Sequence, residues 1–205
     1  MTGEDVGRRR KGRPRGFEPT AALDAAMRLF WAEGFEAASI DQLSRATRMP
    51  RASLYQEYGG KAGLFLASVA HYAETRIAPV AAALGPSGAL GNDLSAFFQA
   101  VIALATGDAA TPGCLISCVL ADSAGTNAVF RAELDQRFAA LEARITARLV
   151  AEPWPAAAPD RAALAAMLAA VARGIMLRAR SGAAPKALAP VADAAVASVL
   201  CLRAA

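Results

Sequence analysis

The stretch from Ser39 to Lys61, SIDQLSRATRMPRASLYQEYGGK, constrains this chain more than any other. Ser39 can accept the N–H of a first-turn residue, and Gln42, three residues on, can reach back to the Ser39 amide, so a helix is expected to start here. Ile40, Leu43 and Ala46 then share one face at helical spacing. The pattern breaks at Arg48-Met49-Pro50, because proline cannot continue a helix but suits the first turn of a new one. A second helix is expected from about Pro50 to Tyr58, with Leu54 and Tyr58 packed inward and Arg51, Ala52, Ser53 and Tyr55 left to a partner. Helix, short turn, helix with polar residues at its start is the form in which a helix-turn-helix unit offers a recognition helix to the major groove.

The rest of the chain reads as all-α. Alanine dominates, β-branched runs are scarce, and glycine and proline fall mostly between periodic stretches. The chain is 55% hydrophobic with a mean hydropathy of +0.30. Charged residues recur in every long segment, so no uninterrupted apolar run reaches the ~18 residues of a membrane span, and none is expected. The basic N-terminus lacks the apolar stretch and cleavage site of a secretory signal, which makes the cytoplasm the expected location. Three cysteines and one histidine build neither a disulfide framework nor a standard zinc site, and no cofactor is expected. A thiolate site for a soft metal stays open.

Charge is concentrated at the front. Residues 1–63 hold 11 Lys or Arg against 8 Asp or Glu, whereas the remainder holds 11 against 10. Arg8, Arg9, Arg10, Lys11, Arg13 and Arg15 cluster in an arm over residues 1–16 that has no apolar face. Alone, such a run is as well read as a solubilising tail. Beside a helix-turn-helix it suits phosphate and the minor groove, with Arg13 and Arg15 as candidates.

Other helices are expected at 18–33, with a stop at Gly34; from Lys61 to about Ile77, before Pro79; from about Asp93 to Thr106; over the short CLISCVLAD segment; from about Asn127 to Val150, with Val129, Phe130, Leu134, Phe138, Leu141, Ile145 and Leu149 at core spacing; from Asp160 as cap to Arg180; and from Lys186 or Pro190 to Leu202. This order divides the chain into an arm (1–16), a three-helix DNA-binding domain (17–62) and a helical domain (63–205), to which only a family resemblance assigns effector binding and dimerisation.

Arg13-Pro14-Arg15, Leu29-Phe30-Trp31, Gly34-Phe35, Ser39-Ile40, Ser53-Leu54-Tyr55 and Gly59-Gly60-Lys61 together resemble the N-terminal domain of tetracycline-repressor (TetR/AcrR) family regulators. The resemblance covers about residues 12–72. Thr111-Pro112-Gly113-Cys114-Leu115 and ARGIMLRARSGA look like the ligand-binding domain of a branch that includes copper-responsive and electrophile-responsive repressors. The resemblance implies phosphate contacts from Ser39, Tyr55 and Lys61, backbone support from Arg45, and base reading by Arg51, Ala52 and Ser53, with Arg51 suited to guanine. It also implies a homodimer formed by the last two helices, reading a palindromic operator. The sequence departs from the family pattern at Arg48, where a small residue is usual, and at Pro50, where Ser, Thr or Asn is.

Three functions follow as expectations. The first is a repressor released from its operator by a small apolar effector held near Phe97, Phe98, Val101, Leu115 and Val119, residues that supply no charge. The second keeps the DNA-binding domain but places the trigger at Cys114, near a helix start that favours thiolate, and at Cys118 one turn on, as a redox, electrophile or copper(I) sensor; packing as small apolar residues is the competing reading. The third, a small helical enzyme or binding protein, has no nucleophile–base pair, phosphate loop or ligand cluster behind it, so an enzyme is not expected.

Overall fold

The computed structural model describes residues 18–204, so Arg13 and Arg15 lie outside the described residues. Within them the chain is helical, with no strand. Helix α1 spans Pro19–Glu33, α2 Ile40–Thr47, α3 Arg51–Tyr58 and α4 Lys61–Tyr72. Glu18 caps α1 through both carboxylate oxygens, and Gly34 closes it with a φ of 88°, a backbone state that suits a residue without Cβ. One face of α1 buries Ala22, Ala26, Met27, Phe30 and Trp31 against α2 and α4. Burying a side chain such as Phe30 stabilises by about 1.5–3 kcal/mol. The aromatics of this stripe pack in the core, as helical spacing predicts.

Helix α4 runs on past the expected stop. A π-helical turn, Ala73–Ile77, joins it to α5, Ala78–Ala82, and Pro79 sits in the first turn of α5. The Ala78 N–H reaches back five residues to the Ala73 carbonyl, and this wider turn accommodates a residue that lacks an amide hydrogen. Helix α6 spans Leu90–Thr106, starting before Asp93 rather than at it. A second π turn, Leu115–Leu120, leads into α7, Ala121–Ala124. Helices α8 (Ala128–Val150), α9 (Arg161–Arg180) and α10 (Pro185–Ala204) complete the fold, capped by Asn127 and Asp160 where the sequence places α8 and α9. Pro190 lies inside α10, near its start, instead of beginning it.

Helix α9 packs on α6, α8 and α10. Two details of the core differ from the spacing argument. Val129 is 61% exposed while Phe130 is 1% exposed, because adjacent residues on a helix point about 100° apart and only one can face inward. Asp93 is buried and accepts from Arg148 Nε at 2.7 Å, so the start of α6 is tied to the end of α8. The Ser87 hydroxyl, and after it the Arg148 guanidinium, holds the Asp93 carboxyl below its ordinary range.

Helices α9 and α10 are long and apolar enough to cross a bilayer by length and composition. Each buries one side in the protein and leaves a stripe outside: Ala163, Met167, Ala170, Gly174 and Leu177 on α9, and Ala187, Val191, Ala194, Ser198 and Cys201 on α10. Small and apolar residues at three- and four-residue steps are the pattern of a helix face that closes on another helix.

Candidate functional site

The turn between α2 and α3 is held by side-chain hydrogen bonds before any partner arrives. At the start of α2 the Ser39 hydroxyl accepts the Gln42 N–H at 3.2 Å while the Ser39 N–H donates to Gln42 Oε1 at 2.8 Å. Gln42 in turn donates to Glu33 at 2.8 Å, which fixes α2 against α1. At the other end Thr47 Oγ1 donates to the Leu43 carbonyl and accepts from the Met49 N–H, and Ser44 Oγ donates to the Met49 carbonyl at 2.6 Å. Leu43, Met49 and Leu54 are buried beneath it. Arg48 adopts φ 55° and ψ 25°, the left-handed state that costs a residue with a Cβ about 1–2 kcal/mol.

This scaffold turns one polar face outward. Arg45, Arg48, Arg51 and Ala52 are exposed and Ser53 half-buried, with Leu54 pointing inward. Arg51 pairs with Asp41 across the turn; an exposed pair of this kind contributes at most about 1 kcal/mol, so a stronger acceptor can displace it. Tyr55 is 55% exposed, and its ring lies over Gly60, where an added Cβ would come within 3.1 Å of it. That contact stands the phenol at the junction of α3 and α4. Lys61 opens α4, stacks over Phe35 at 4.5 Å and donates to the Glu36 carbonyl at 3.0 Å. The ammonium is thus held beside the free amides at the start of a helix, a place that favours anions. Seven predicted positions, from Ser39 to Lys61, belong to this one unit; the Ser39 hydroxyl is engaged in its cap. Arg48, where the sequence departs from the family pattern, adds a further exposed cation to this face.

The unit is bound to the remaining helices by an aromatic cluster and by main-chain acceptors. Phe35 and Phe65 both meet Phe130 of α8 edge-on, at 4.9 and 5.2 Å. The Trp31 indole donates to the Pro112 carbonyl at 3.3 Å, and Arg180 of α9 donates to the Trp31 carbonyl at 2.8 Å. His71, the single histidine, pairs with Asp24 of α1 at 2.9 Å.

Below lies a cavity of about 210 Å³ between α5, α6, α8, α9 and the two π turns. Of the five residues expected to line an effector pocket, Phe97 and Val101, one turn apart on α6, reach its wall. Phe98, Leu115 and Val119 are buried elsewhere in the core; Phe98 follows Phe97 and so faces another direction. Spacing within single helices carries no information about which side of α8 or α9 meets α6, so Ile77, Phe138, Leu141 and Met176 of the wall were not foreseen. Nor were Arg137, Arg144 and Arg173, which also line it.

The cysteines face different spaces. Cys114 is buried on the cavity wall, whereas Cys118 lines a separate surface cleft with Glu33 and Arg180. Cys118 keeps its place one turn after Cys114, its N–H donating to the Cys114 carbonyl at 2.9 Å, yet the two residues line different spaces. Burial pushes the Cys118 thiol above its ordinary value. Burial, reinforced by the neighbouring Cys114, does the same more strongly to the Tyr72 hydroxyl.

Comparison with known proteins points the same way as this geometry. The family model for bacterial regulatory proteins, tetR family, matches residues 22–68. Over 62 residues the chain is 47% identical to the HTH-type transcriptional repressor ComR of Escherichia coli K12, covering 30% of each. Over 105 residues it is 31% identical to the HTH-type transcriptional repressor BdcR of the same organism, covering 51% of this chain and 53% of that one. The chain thus spans about a third to a half of the length of these curated relatives. The solved structure of CifR, a TetR family transcriptional regulator, in a cysteine-substituted form complexed with 26-bp double-strand operator DNA, superposes with a TM-score of 0.80. It is 27% identical, over 90% of this chain and 98% of that one. SCO4454 of Streptomyces coelicolor, 24% identical with a TM-score of 0.76 over 91% of this chain and 96% of that one, shares the fold.

Proposed function

We propose that this chain, whose residues 22–68 match the family model for bacterial regulatory proteins, tetR family, is a transcriptional repressor of that kind, working in the cytoplasm, whose grip on a palindromic operator is released by a small molecule. One observation carries the reading. The first turn of α3 presents Arg51, Ala52 and Ser53 outward on a scaffold whose turn is already fully bonded, with Tyr55 and Lys61 flanking it for phosphates. Arg51 reads a base edge, Arg45 and Arg48 steady the backbone, and the arm carrying Arg13 and Arg15 follows the minor groove.

Two copies pair through the outward stripes of α9 and α10, which places two recognition helices on one side of a two-fold axis. The effector occupies the cavity beside α6. Its wall includes Ala73, Ile77 and Ala78, in the same continuous run of helix that begins at Lys61, so a ligand pressing there moves the start of α4 and the spacing of the two reading heads.

The test is selection of bound sequences from random DNA with the full chain, followed by affinity measurements on the selected site. A two-fold symmetric consensus bound at least about a thousandfold more tightly than unrelated duplex is the expected result. Binding with no sequence preference would overturn the reading.

A further inference from the structure

The cavity wall combines a large hydrocarbon surface with a small polar one. Ile77, Phe97, Val101 and Leu141 supply the first. Arg137 and Arg144, two turns apart on α8, and Arg173 on α9 supply the second. Two carboxylates answer these three guanidinium groups: Glu133 takes Arg137 at 2.7 Å and Glu142 takes Arg173 Nη2 at 2.8 Å. Arg144 donates to the Gly85 carbonyl, an uncharged acceptor. Arg173 stacks its guanidinium over Phe138 at 4.2 Å, and its Nη1 is buried with no acceptor among the described residues. A buried donor without a partner is costly, and the half-buried guanidinium groups at this wall outnumber their carboxylates by one.

From this arrangement we infer that the cavity takes a small lipophilic monoanion, an aryl- or alkyl-carboxylate, with a carboxylate oxygen on Arg173 Nη1 and its hydrocarbon against Ile77, Phe97, Val101 and Leu141. The inference rests on the cavity being the effector site. A neutral acceptor would fill the hydrogen bond but leave the excess charge. An inorganic anion would answer the charge but forfeit its hydration with no apolar burial in return. A cavity of roughly 150 Å³ holds benzene, so one of about 210 Å³ suits a ring, or a chain of similar bulk, that carries one carboxylate.

The experiment is calorimetric titration of the full chain, without DNA, using phenylacetate and octanoate, their neutral alcohols 2-phenylethanol and 1-octanol, and inorganic phosphate. The acids are expected to bind roughly ten- to a hundredfold more tightly than the alcohols, the range of a charge-assisted hydrogen bond, and phosphate not to bind. Arg173→Met, which keeps an unbranched stem but removes the guanidinium, should reduce the acids to the affinity of the alcohols and leave the alcohols unchanged, while Arg173→Lys retains part of the preference. Alcohols binding as tightly as acids, acid affinity indifferent to Arg173→Met, or no acid binding would each overturn the inference. The wild-type series decides the matter even if the Met variant fails to fold. Acid binding by a chain that selects no DNA sequence sinks the proposed repressor and spares the cavity assignment; sequence-selective DNA binding without acid binding does the reverse.

Discussion

Arg180, in the last turn of α9, donates from Nη1 to the main-chain carbonyl of Trp31, in the last turn of α1, across 2.8 Å. A cation there meets the negative end of the α1 dipole as well as an orphan carbonyl. Met176, one turn earlier on α9, lines the cavity, so one helix touches both the cavity and the helix-turn-helix unit. Gly113 makes the approach possible: a Cβ there would come within 2.9 Å of the Met176 carbonyl and 3.0 Å of Arg180 Cβ.

Arg180→Met is therefore expected to lower stability by about 1.5–3 kcal/mol, the range for a hydrogen bond to a charged group. Amides at the end of α1 should exchange faster with deuterium while those in the middle of α8 do not. Equal protection in both variants would remove this contact from the coupling route.

The left-handed backbone at Arg48 is separable from its charge. Arg48→Gly relieves the strain at some cost in unfolded-state entropy, so it should match or exceed wild-type stability by up to about 1 kcal/mol. Arg48→Ala keeps the strain and gains nothing. Both should weaken operator binding equally if the guanidinium meets a phosphate, which fluorescence anisotropy on the selected operator would read.

Tyr55→Phe removes one hydroxyl and should cost about 0.5–1.5 kcal/mol of operator affinity. Lys61→Met removes a charge, so the slope of log affinity against log salt should shrink by about one unit. An unaltered slope would place Lys61 outside the phosphate contacts and leave its ammonium a purely structural partner of Phe35 and the Glu36 carbonyl.

Asp93 links stability to acid. Its carboxyl titrates below the ordinary value, so its contribution is complete above the unfolded carboxylate pKa of about 3.9 and disappears as pH falls through the lower folded value. Asp93→Asn leaves Arg148 buried without its charged partner on α6; Tm should drop by roughly 10 °C at neutral pH. The acid limb of the stability profile should flatten in the same variant.

Ala170 lies at the middle of the outward stripe on α9, exposed in the single chain. Ala170→Glu should leave the circular dichroism spectrum of the protomer intact. Sedimentation should then show a dimer for the wild type and a monomer for the variant, with operator affinity lost alongside. A dimer that survives the substitution would move the contact to another surface.

Short-range chemistry was readable in the residues alone. The Ser39 cap, the break at Arg48-Met49-Pro50, the start near Asn127, the Asp160 cap and the outward start of α3 each depend on neighbours within about a turn, and periodicity reports such neighbours well. The cavity depends on which faces of α6, α8 and α9 meet. That is why Phe97 and Val101 could be named while Phe98, Leu115 and Val119 pack elsewhere in the core. The three arginines escaped notice for a related reason: on a long amphipathic helix an arginine reads as solvated until a neighbouring helix covers it. Asp93 read as the start of a helix, and only the return of Arg148 from 55 residues away makes it a buried anchor. Pro79 and Pro190 read as boundaries because a regular α-helix excludes them; at Pro79 a π turn followed by a first-turn position lifts that exclusion, whereas Pro190 lies inside α10.

Arg173 and Gly174 are consecutive, and the first faces the cavity while the second lies on the stripe assigned to the pairing of two copies. If two copies pair along this stripe and the cavity holds the effector, one helix thickness separates a bound guest from the seam between subunits, and the two chambers stand back to back across it. Occupancy of one chamber is then communicated to its twin through a shared wall, and the shape of the saturation curve, read as a Hill coefficient, measures how stiff that wall is.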